Sequence, residues 1–417
     1  MESTLPAPVA IPNQSVRAAH VRRTLNRAQT IDRIGGHLIT AAGTVVLLSV
    51  GMILVFLALE ALPLISQPAK HPHGSVNAMF VPQLYAGYTT PQYIWQTEAS
   101  EGGQEKFGVP LLIWGTLKGA IWAMFFSVPL ALLSALFVSE FADPRLRTWI
   151  KSGIEVLAGI PTVVVGFFAF VTLSTVVNGY YLNNQSYFES GLWILFLLQL
   201  GIFAAVGSYL GGRAVIAERP VWQRAAGVLG GLLAALGVAM LAGWLLEKVL
   251  GTALQPFFGV RQFTQLNGIM AGFCLGFAIV PLIFSVAEDA MRAVPNSYRE
   301  ASLALGGSRW ETAIRVVAPG ATAGIYAAVM LGLARAVGET MIVLMASGNT
   351  PILDFSPFTG MRTMSAAIAI EASEKAQYST GYHVLFFVGA LLFVMTFILN
   401  AATAHIISRL KHRYQVG

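Results

Sequence analysis

The chain alternates between long apolar runs and short polar segments. A helix needs about 20 apolar residues to cross the ~30 Å hydrocarbon core of a bilayer, and eight runs reach that length. The runs occupy residues 38–59, 113–138, 154–177, 192–210, 225–246, 269–287, 321–346 and 384–407. They predict an all-α, polytopic membrane protein with about eight transmembrane helices. The fourth and fifth runs are rich in Gly and Ala. The later polar segments stay on their predicted sides of the membrane only if both of these runs cross it or neither does.

The basic residues indicate which polar segments lie inside the cell. With the N-terminus placed in the cytoplasm, the inner segments hold 18 Lys and Arg residues, and the outer side holds seven when Lys118, near the outer end of the second run, is included. Cytoplasmic loops of membrane proteins carry an excess of these residues. The pattern therefore predicts a multi-pass protein of the inner (plasma) membrane with both termini in the cytoplasm.

Composition narrows the class of protein. Charged residues make up 11% of the 417-residue chain, whereas soluble domains contain about 25%, so lipid must cover most of the surface. The net charge of +6 does not indicate a nucleic-acid partner, because the basic residues lie at the ends of apolar runs rather than in one patch. Cys274 lies in an apolar run without a second cysteine to pair with, and we expect it to be a packing residue.

Two polar segments flank the first span, residues 38–59. Residues 1–37 combine prolines with an Arg-rich stretch and predict an uncleaved, basic cytoplasmic segment. Residues 60–112 are rich in Pro, Gly and aromatic residues and predict an irregular, exposed periplasmic loop. His71 and His73 in this loop are a poor metal pair, because carboxylates and cysteines are missing nearby. We expect neither a metal nor another cofactor.

Residues 288–319 form a polar segment between the sixth and seventh runs, on the predicted cytoplasmic side. Pro295 ends the preceding helix and lets a new one begin. Residues 298–305 favour a helix, Gly306 ends it, and a second helical stretch covers 309–317. The residues alone therefore predict a short helix, a glycine turn and another short helix.

The spacing of this segment resembles the EAA loop of type I ABC importer permeases. Glu300, Ala301 and Ser302 stand for the EAA triplet, Gly306 follows four residues later, and Pro319 ends the motif. In that family the loop is a coupling helix that docks into a groove of a cytoplasmic ATPase. The resemblance implies that Glu300 and Ala301 lie at this contact, that Gly306 makes the turn, and that Pro319 restarts the membrane helix. The alternative is an amphipathic surface loop without a partner.

Two charges lie within the seventh run. Arg335 and Glu339 are four residues apart and would share one face of a continuous helix. Each costs about 2.5–3.5 kcal/mol at bilayer depth, and pairing offsets much of that cost. A planar guanidinium also matches the oxygens of a translocating anion, and Gly338 would let a neighbouring helix or substrate approach closely. A purely structural ion pair between helices is the alternative.

These residues extend the resemblance to phosphate transport permeases of the PstC type. Arg335, Gly338 and Glu339 match the span that follows the EAA loop in that family, and the stretch around Pro161 matches its third span. The similarity covers most of residues 113–413 and implies a type I ABC importer permease fold that translocates phosphate. Pro161 inside a span frees a carbonyl group, which is tolerated only where protein or water covers it. We therefore expect Pro161 to line the pathway or to hinge beside it.

Two features depart from the family pattern. Residues 190–250 predict a helical hairpin inserted between the third and fourth of the six core spans, and Gly231 and Ala235 indicate tight helix packing there. Arg362 precedes the last span. It is either a substrate contact or an ordinary exposed base.

The resemblance also implies partners. These are cytoplasmic ABC ATPase subunits, a second, PstA-like permease subunit, a periplasmic or lipid-anchored phosphate-binding protein, and the surrounding membrane lipids. The chain lacks the Gly-rich P-loop motif that ends in Gly-Lys-Ser or Gly-Lys-Thr, so we expect no enzyme activity here and ATP hydrolysis in a separate chain. The alternatives are transport of another oxyanion, such as sulfate or molybdate, and a non-transporting membrane sensor.

Overall fold

A computed structural model describes residues 14–85, 88–97, 105–183, 221–250 and 263–414, together with residues 185, 199, 202 and 206. The chain divides into two compact units, residues 1–60 and 61–417. In chain order the described elements are α1 (Gln14–Ser66), α2 (Val76–Phe80), β1 (Trp95–Gln96), β2 (Lys106–Phe107), α3 (Val109–Glu140), α4 (Pro144–Ala158), α5 (Thr162–Phe168), a π-helical segment (Ala169–Leu173), α6 (Ser174–Asn183), α7 (Val221–Leu250), α8 (Gly268–Arg292), α9 (Asn296–Ala304), α10 (Arg309–Thr312), a second π-helical segment (Ala313–Val317), α11 (Ala318–Gly320), α12 (Thr322–Gly338), α13 (Met341–Ala346), α14 (Met364–Glu371) and α15 (Thr380–Tyr414). The predicted all-α class is confirmed.

Five of the described helices are long and apolar enough to cross a membrane, and a bent helix pair gives a sixth if it counts as one span. They cover Asp32–Ser66, Val109–Glu140, Thr162–Asn183, Gly268–Arg292 and Thr380–Arg409, and the bent pair is Arg309–Gly320 with Thr322–Gly338. The predicted run 192–210 lies almost entirely outside the described residues, and run 225–246 lies within α7. The total of eight spans therefore stays a prediction.

Helix α1 contains the first predicted span, residues 38–59, and continues to Ser66. The hydroxyls of Thr40, Thr44 and Ser49 each donate to the carbonyl oxygen four residues earlier, at 2.8 Å. Lipid offers no partner to a hydroxyl group. These bonds within the helix satisfy the polar groups, so α1 can carry them through an apolar environment.

Helices α3 and α8 form the centre of the larger unit. A Cβ atom at Gly272 of α8 would lie 2.4 Å from Cβ of Trp122, and one at Gly276 would lie 2.8 Å from the carbonyl oxygen of Ala123. Small residues let membrane helices approach closely, and the resulting van der Waals contact drives helix association in lipid. The other elements of this unit pack around these two helices. The two ends of the helix bundle are called the Val109 end and the Glu140 end, after the first and last residues of α3.

The predicted third span, residues 154–177, is interrupted. Helix α4 ends at Ala158, and α5 begins at Thr162 with Pro161 in its N-cap position. The membrane-length helix runs from Thr162 to Asn183, so the predicted start at residue 154 is wrong. The physical reason is the proline, which lacks an N–H group and disfavours helical geometry in the residue before it.

The predicted seventh span, residues 321–346, is not one continuous helix. The chain bends by 72° between α11 and α12, and α12 ends at Gly338. Glu339 has an extended backbone, with φ −70° and ψ 131°, before α13 begins at Met341. Broken helices at membrane depth occur where protein or a water-filled cavity covers the freed backbone groups. The break at Gly338 therefore marks a place that protein or water must cover.

Part of residues 60–112 is packed structure, so the predicted irregular, exposed loop is wrong for the strand pair and the buried residues around it, whereas residues 88–92 are exposed. Strands β1 and β2 pair antiparallel, with Trp95 opposite Phe107. Met79, Trp95 and Phe107 are at most 4% exposed and form a hydrophobic cluster with the Val109 end of α3 and the start of α15. The aromatic residues that favoured a loop interpretation are the core of this small layer.

The segment 347–363, which we call the return segment, connects α13 to α14 and lies against the Val109 half of α3. Lys118, only 2% exposed, donates from Nζ to the hydroxyl oxygen of Thr359 at 2.8 Å. The backbone N–H of Met364 donates to Thr116 Oγ1 at 3.0 Å. A Cβ atom at Gly115 would lie 2.1 Å from the carbonyl oxygen of Arg362. Helix α3 and the return segment are therefore in direct backbone contact.

Gly115→Ala should destabilise the protein, because the new methyl group would overlap a backbone oxygen that cannot move without displacing the return segment. Overpacking of this kind costs about 1–3 kcal/mol, which we expect as a lower melting temperature of the purified protein in detergent. Gly153→Ala is the matched control, because a Cβ atom there meets nothing within 4 Å. Equal melting temperatures for the two variants would contradict this packing.

Candidate functional site

Residues 295–319, called the EAA loop from here on, fold as the sequence predicts. Helix α9 is followed by a turn in which Gly306 has a φ of +87°, a conformation that favours glycine. Ser308 then begins α10: its hydroxyl accepts a hydrogen bond from the N–H of Glu311 at 3.2 Å, and its own N–H donates to the Glu311 carboxylate at 3.0 Å. This reciprocal pair is a capping box and fixes where the second helix begins.

The EAA loop presents its first helix to the surroundings. None of the residues of α9 is buried, and Glu300 and Ala301 are both exposed. Tyr298 is 55% exposed, Leu303 46% and Leu305 90%. Exposed apolar side chains clustered in this way mark interaction surfaces. Helix α9 therefore presents an open and partly apolar surface.

Pro319 lies in α11, near the end of the helical run Arg309–Gly320. The 72° bend follows directly, and α12, which carries Arg335, begins at Thr322. Pro319 thus precedes the restart of the membrane helix, as the motif spacing implies. Only a short connection therefore separates the EAA loop from α12, the helix that carries Arg335.

Arg335 and Glu339 are not paired, and the predicted ion pair is wrong for this conformation. The described residues form six close ion pairs, and none of them joins these two side chains. The reason is the end of α12 at Gly338, because the extended backbone of Glu339 removes its side chain from the helical face of Arg335. A Cβ atom at Gly338 would meet nothing within 4 Å, so the described chain does not supply the close neighbour expected there.

Arg335 lines a cavity of about 200 Å³ between α4, α8 and α12. The side chain is exposed within the isolated chain. The other lining residues are Lys151, Ile154, Glu155, Ala158, Ala278, Pro281, Leu282, Phe284 and Ser285. A guanidinium with five N–H donors that faces such a space can receive an anion.

The helices that follow the two chain breaks pack on each other. A Cβ atom at Gly166 of α5, just beyond Pro161, would lie 3.1 Å from Sδ of Met345 and 3.2 Å from Cα of Ile342, both in α13. The carbonyl oxygen of Glu339 accepts a hydrogen bond from Ser365 Oγ at 3.0 Å. The structure therefore brings together the element after Pro161 and the element after Glu339, which the sequence had singled out independently.

Arg362 is not the ordinary exposed base that was one of its two interpretations. Its side chain is 14% exposed and lies 3.0 Å from the carboxylate of Glu371, which is 2% exposed. The same carboxylate oxygen accepts a hydrogen bond from Nε1 of Trp95 at 2.8 Å. Burial raises the pKa of the Glu371 carboxyl, while Trp95 and Arg362 act in the opposite direction. The network ties the strand pair to α14, and sequence reasoning missed it.

A second network that the sequence did not reveal joins α4 to α8. Lys151 donates to the carboxylates of Glu288 at 2.9 Å and Asp289 at 3.0 Å. These hydrogen bonds raise the pKa of Lys151. The acidic pair and the lysine lie far apart in sequence, so only the packing of the two helices shows their connection.

His71 does not pair with His73. A ring nitrogen of His71 lies 2.9 Å from the hydroxyl of Thr380, and its ring meets that of His383 edge-to-face at 5.4 Å. Among the described residues, no group of three or more His, Cys, Asp or Glu side chains is placed to hold a metal ion. The histidine therefore contributes to packing between the 60–112 segment and the start of α15.

The chain is similar in sequence to three curated proteins that are named as permeases. The chain is 26% identical over 313 residues to a protein of Xylella fastidiosa named phosphate transport system permease protein PstC, covering 74% of this chain and 76% of that one. It is 27% identical over 366 residues to phosphate transport system permease protein PstC 2 of Mycobacterium tuberculosis, with 87% of each chain covered. It is also 27% identical over 306 residues to the probable ABC transporter permease protein YqgH of Bacillus subtilis, covering 73% and 74%.

A family model described as binding-protein-dependent transport system inner membrane component matches residues 127–412. The match includes the EAA loop, α12 with Arg335, the break at Gly338 and the return segment. The resemblance to PstC-type permeases is thereby confirmed, and the chain belongs to the family of binding-protein-dependent transport system inner membrane components.

Proposed function

We propose that the chain is a permease subunit of an ABC importer that takes up inorganic phosphate with energy from ATP, and that it forms the pathway together with a second, PstA-like permease subunit. The observation that carries the proposal is the exposed α9 of the EAA loop, which lacks buried residues and presents apolar side chains at its tip. Cytoplasmic ATPase subunits bind this surface. A periplasmic or lipid-anchored phosphate-binding protein delivers the anion at the Val109 end.

The orientation follows from the basic residues. The EAA loop, α4 and the end of α8 carry Arg and Lys residues at the Glu140 end, and cytoplasmic segments are enriched in these residues. We therefore place the Glu140 end in the cytoplasm of a cell with an inner (plasma) membrane. Both termini then lie on the same side, in the cytoplasm.

Phosphate is supported by the chemistry of Arg335 and by the names of the relatives. A guanidinium presents N–H groups in a planar fork that matches the oxygens of phosphate, and Arg335 faces a cavity. We propose that Arg335, Gly338, Glu339 and Pro161 belong to the substrate pathway.

Sulfate or molybdate is the second candidate substrate, because both are tetrahedral oxyanions with the same requirement for N–H donors. Competition between labelled phosphate and each of these anions during uptake separates them. A non-transporting membrane sensor is the remaining alternative. Co-purification separates it from a permease, because only a permease is expected to bring down an ATPase.

Gly306→Ala should weaken the association of the chain with its ATPase. A φ of +87° costs a residue with a Cβ atom about 1–2 kcal/mol, so the turn between α9 and α10 would relax. We expect less ATPase to co-purify from membranes that contain equal amounts of the permease. Gly306→Asn should be milder, because asparagine adopts this conformation more readily than alanine. Unchanged ATPase recovery in Gly306→Ala would contradict the proposed contact.

Arg335→Ala should lower phosphate uptake by about tenfold or more, since one lost charge-assisted contact exceeds the 1.4 kcal/mol that corresponds to a factor of ten. The measurement is the initial rate of labelled phosphate uptake into cells in which this chain is the sole permease of its type. Association with the ATPase should stay as in the wild type.

Arg409→Ala is the matched control for Arg335→Ala, because it removes the same charge from an exposed position near the end of α15. Its uptake rate should equal that of the wild type. Normal uptake in an Arg335→Ala variant that reaches the membrane would remove Arg335 from the pathway.

A further inference from the structure

Arg299 of α9 uses every N–H donor that it has. Its Nε donates to Glu140 Oε2 at 3.1 Å, and Nη2 donates to Glu140 Oε1 at 2.9 Å and to the carbonyl oxygen of Met291 at 2.8 Å. Nη1 donates to the carbonyl oxygen of Val294 and to Oδ1 of Asn296. An arginine side chain has five N–H donors, so this guanidinium has no capacity left for a ligand.

The five bonds join three elements at one point. Glu140 is the last residue of α3, Met291 lies in the last turn of α8, Val294 follows α8, and Asn296 begins α9. The side chain of Arg299 is 17% exposed and that of Glu140 is 9% exposed. A lysine has three donors from a single atom and cannot form the two parallel bonds to one carboxylate. The joint therefore depends on arginine in particular.

The second half of the EAA loop reaches the same residue of α3. Arg309, the first residue of α10, donates from Nη2 to the carbonyl oxygen of Glu140 at 2.9 Å. Ser302 of α9 and Thr312 of α10 share a hydrogen bond of 2.9 Å, so the two short helices are held to each other. Both halves of the loop thus converge on Glu140, although the chain connects the loop covalently only to α8 and α12.

Helix α3 extends from this joint to the opposite end of the bundle. Its 32 residues correspond to a rod of about 48 Å at 1.5 Å per residue. At the Val109 half, Gly115 and Lys118 contact the return segment, and Thr116 accepts a hydrogen bond from Met364 at the start of α14. The return segment follows directly on Arg335, the break at Gly338, and α13. One continuous helix, with Pro129 in its interior, therefore contacts the EAA loop at one end and the segment beyond the pathway residues at the other.

We propose that Arg299 and Glu140 are positioning residues that transmit movement of the EAA loop to α3, and through α3 to the return segment. The inference rests on the proposed function, because it assigns a path for the motion that the ATPase supplies. Coupling needs an element with two arrangements that both sites bias. Helix α3 has specific contacts near both of its ends, so a single helix can respond both to the EAA loop and to the return segment.

ATPase association and anion transport respond differently to loss of the joint, depending on whether the joint is structural or transmits movement. A structural role predicts that breaking the joint lowers ATPase association and transport in parallel. A transmitting role predicts that the ATPase stays bound and active while less anion is moved for each ATP hydrolysed. The ratio of anion transported to ATP hydrolysed is therefore the informative measurement.

The experiment uses the intact complex in proteoliposomes with the binding protein and radiolabelled inorganic phosphate. Arg299→Lys keeps the charge but loses the fork, and Glu140→Gln keeps the shape but loses the charge. Each should lower the phosphate-to-ATP ratio by about fivefold or more, the lower end of the range that is typical of coupling between two sites. The double variant should be no worse than the more impaired single variant, because both substitutions break the same joint.

Arg292→Lys is the matched control. Arg292 lines the same cleft of about 440 Å³ beneath the EAA loop, but its side chain is 51% exposed and approaches Glu288 only at 3.7 Å. Its phosphate-to-ATP ratio should equal that of the wild type.

Three outcomes would overturn the inference. A wild-type ratio in both single variants would show that the joint transmits nothing, and loss of the ATPase from both variants would assign the joint to docking alone. A wild-type complex without an ATPase or without phosphate-dependent ATP turnover would overturn the proposed function first, and the inference with it. Wild-type controls in the same preparation tell these cases apart.

Discussion

A polar group inside a bilayer finds no water, so it must find its partner within the protein. The described structure meets this constraint in three ways. Hydroxyl groups of α1 bond to carbonyl oxygens of their own helix, Lys118 reaches across to Thr359, and the carbonyl oxygen of Glu339, beside the break at Gly338, accepts a hydrogen bond from Ser365. The chemistry of the protein is therefore concentrated where helices meet and where they stop.

Helix α3 has a different kind of contact at each end, and the difference follows from its surroundings. Near its Val109 end the contact with the return segment depends on close backbone approach at Gly115, because small residues are what bring chains together in lipid. At its Glu140 end the contact with the EAA loop depends on charge, because water and basic residues are available there. A shift of α3 would consequently alter packing at one end and hydrogen bonding at the other.

Local signals made the EAA loop predictable: Pro295 and Gly306 mark its turns, and Ser308 with Glu311 caps its second helix. The apolar runs likewise predicted the class of the fold. The pairing of Arg335 with Glu339 was wrong because it assumed a helix through Gly338, where contacts from elsewhere in the chain support an extended backbone. Contacts such as that of Arg299 with Glu140, which are 159 positions apart, carry no local signal. In the sequence, an exposed loop arginine and an arginine that joins two elements look the same.

Two arginines in this chain illustrate how hydrogen-bond saturation decides what a guanidinium can do. Arg299 spends all five donors on the protein, so it can hold elements together and follow their movement, but it cannot admit a ligand. Arg335 forms none of the close ion pairs found among the described residues and faces a cavity. A charge of this kind at membrane depth costs about 2.5–3.5 kcal/mol, and that cost persists until water, a partner subunit or an anion supplies the missing acceptors. The two arginines therefore have complementary roles. Arg335, with free donors beside a cavity, can respond to a substrate, and Arg299, with all its donors bound at the joint, can follow the state of the loop.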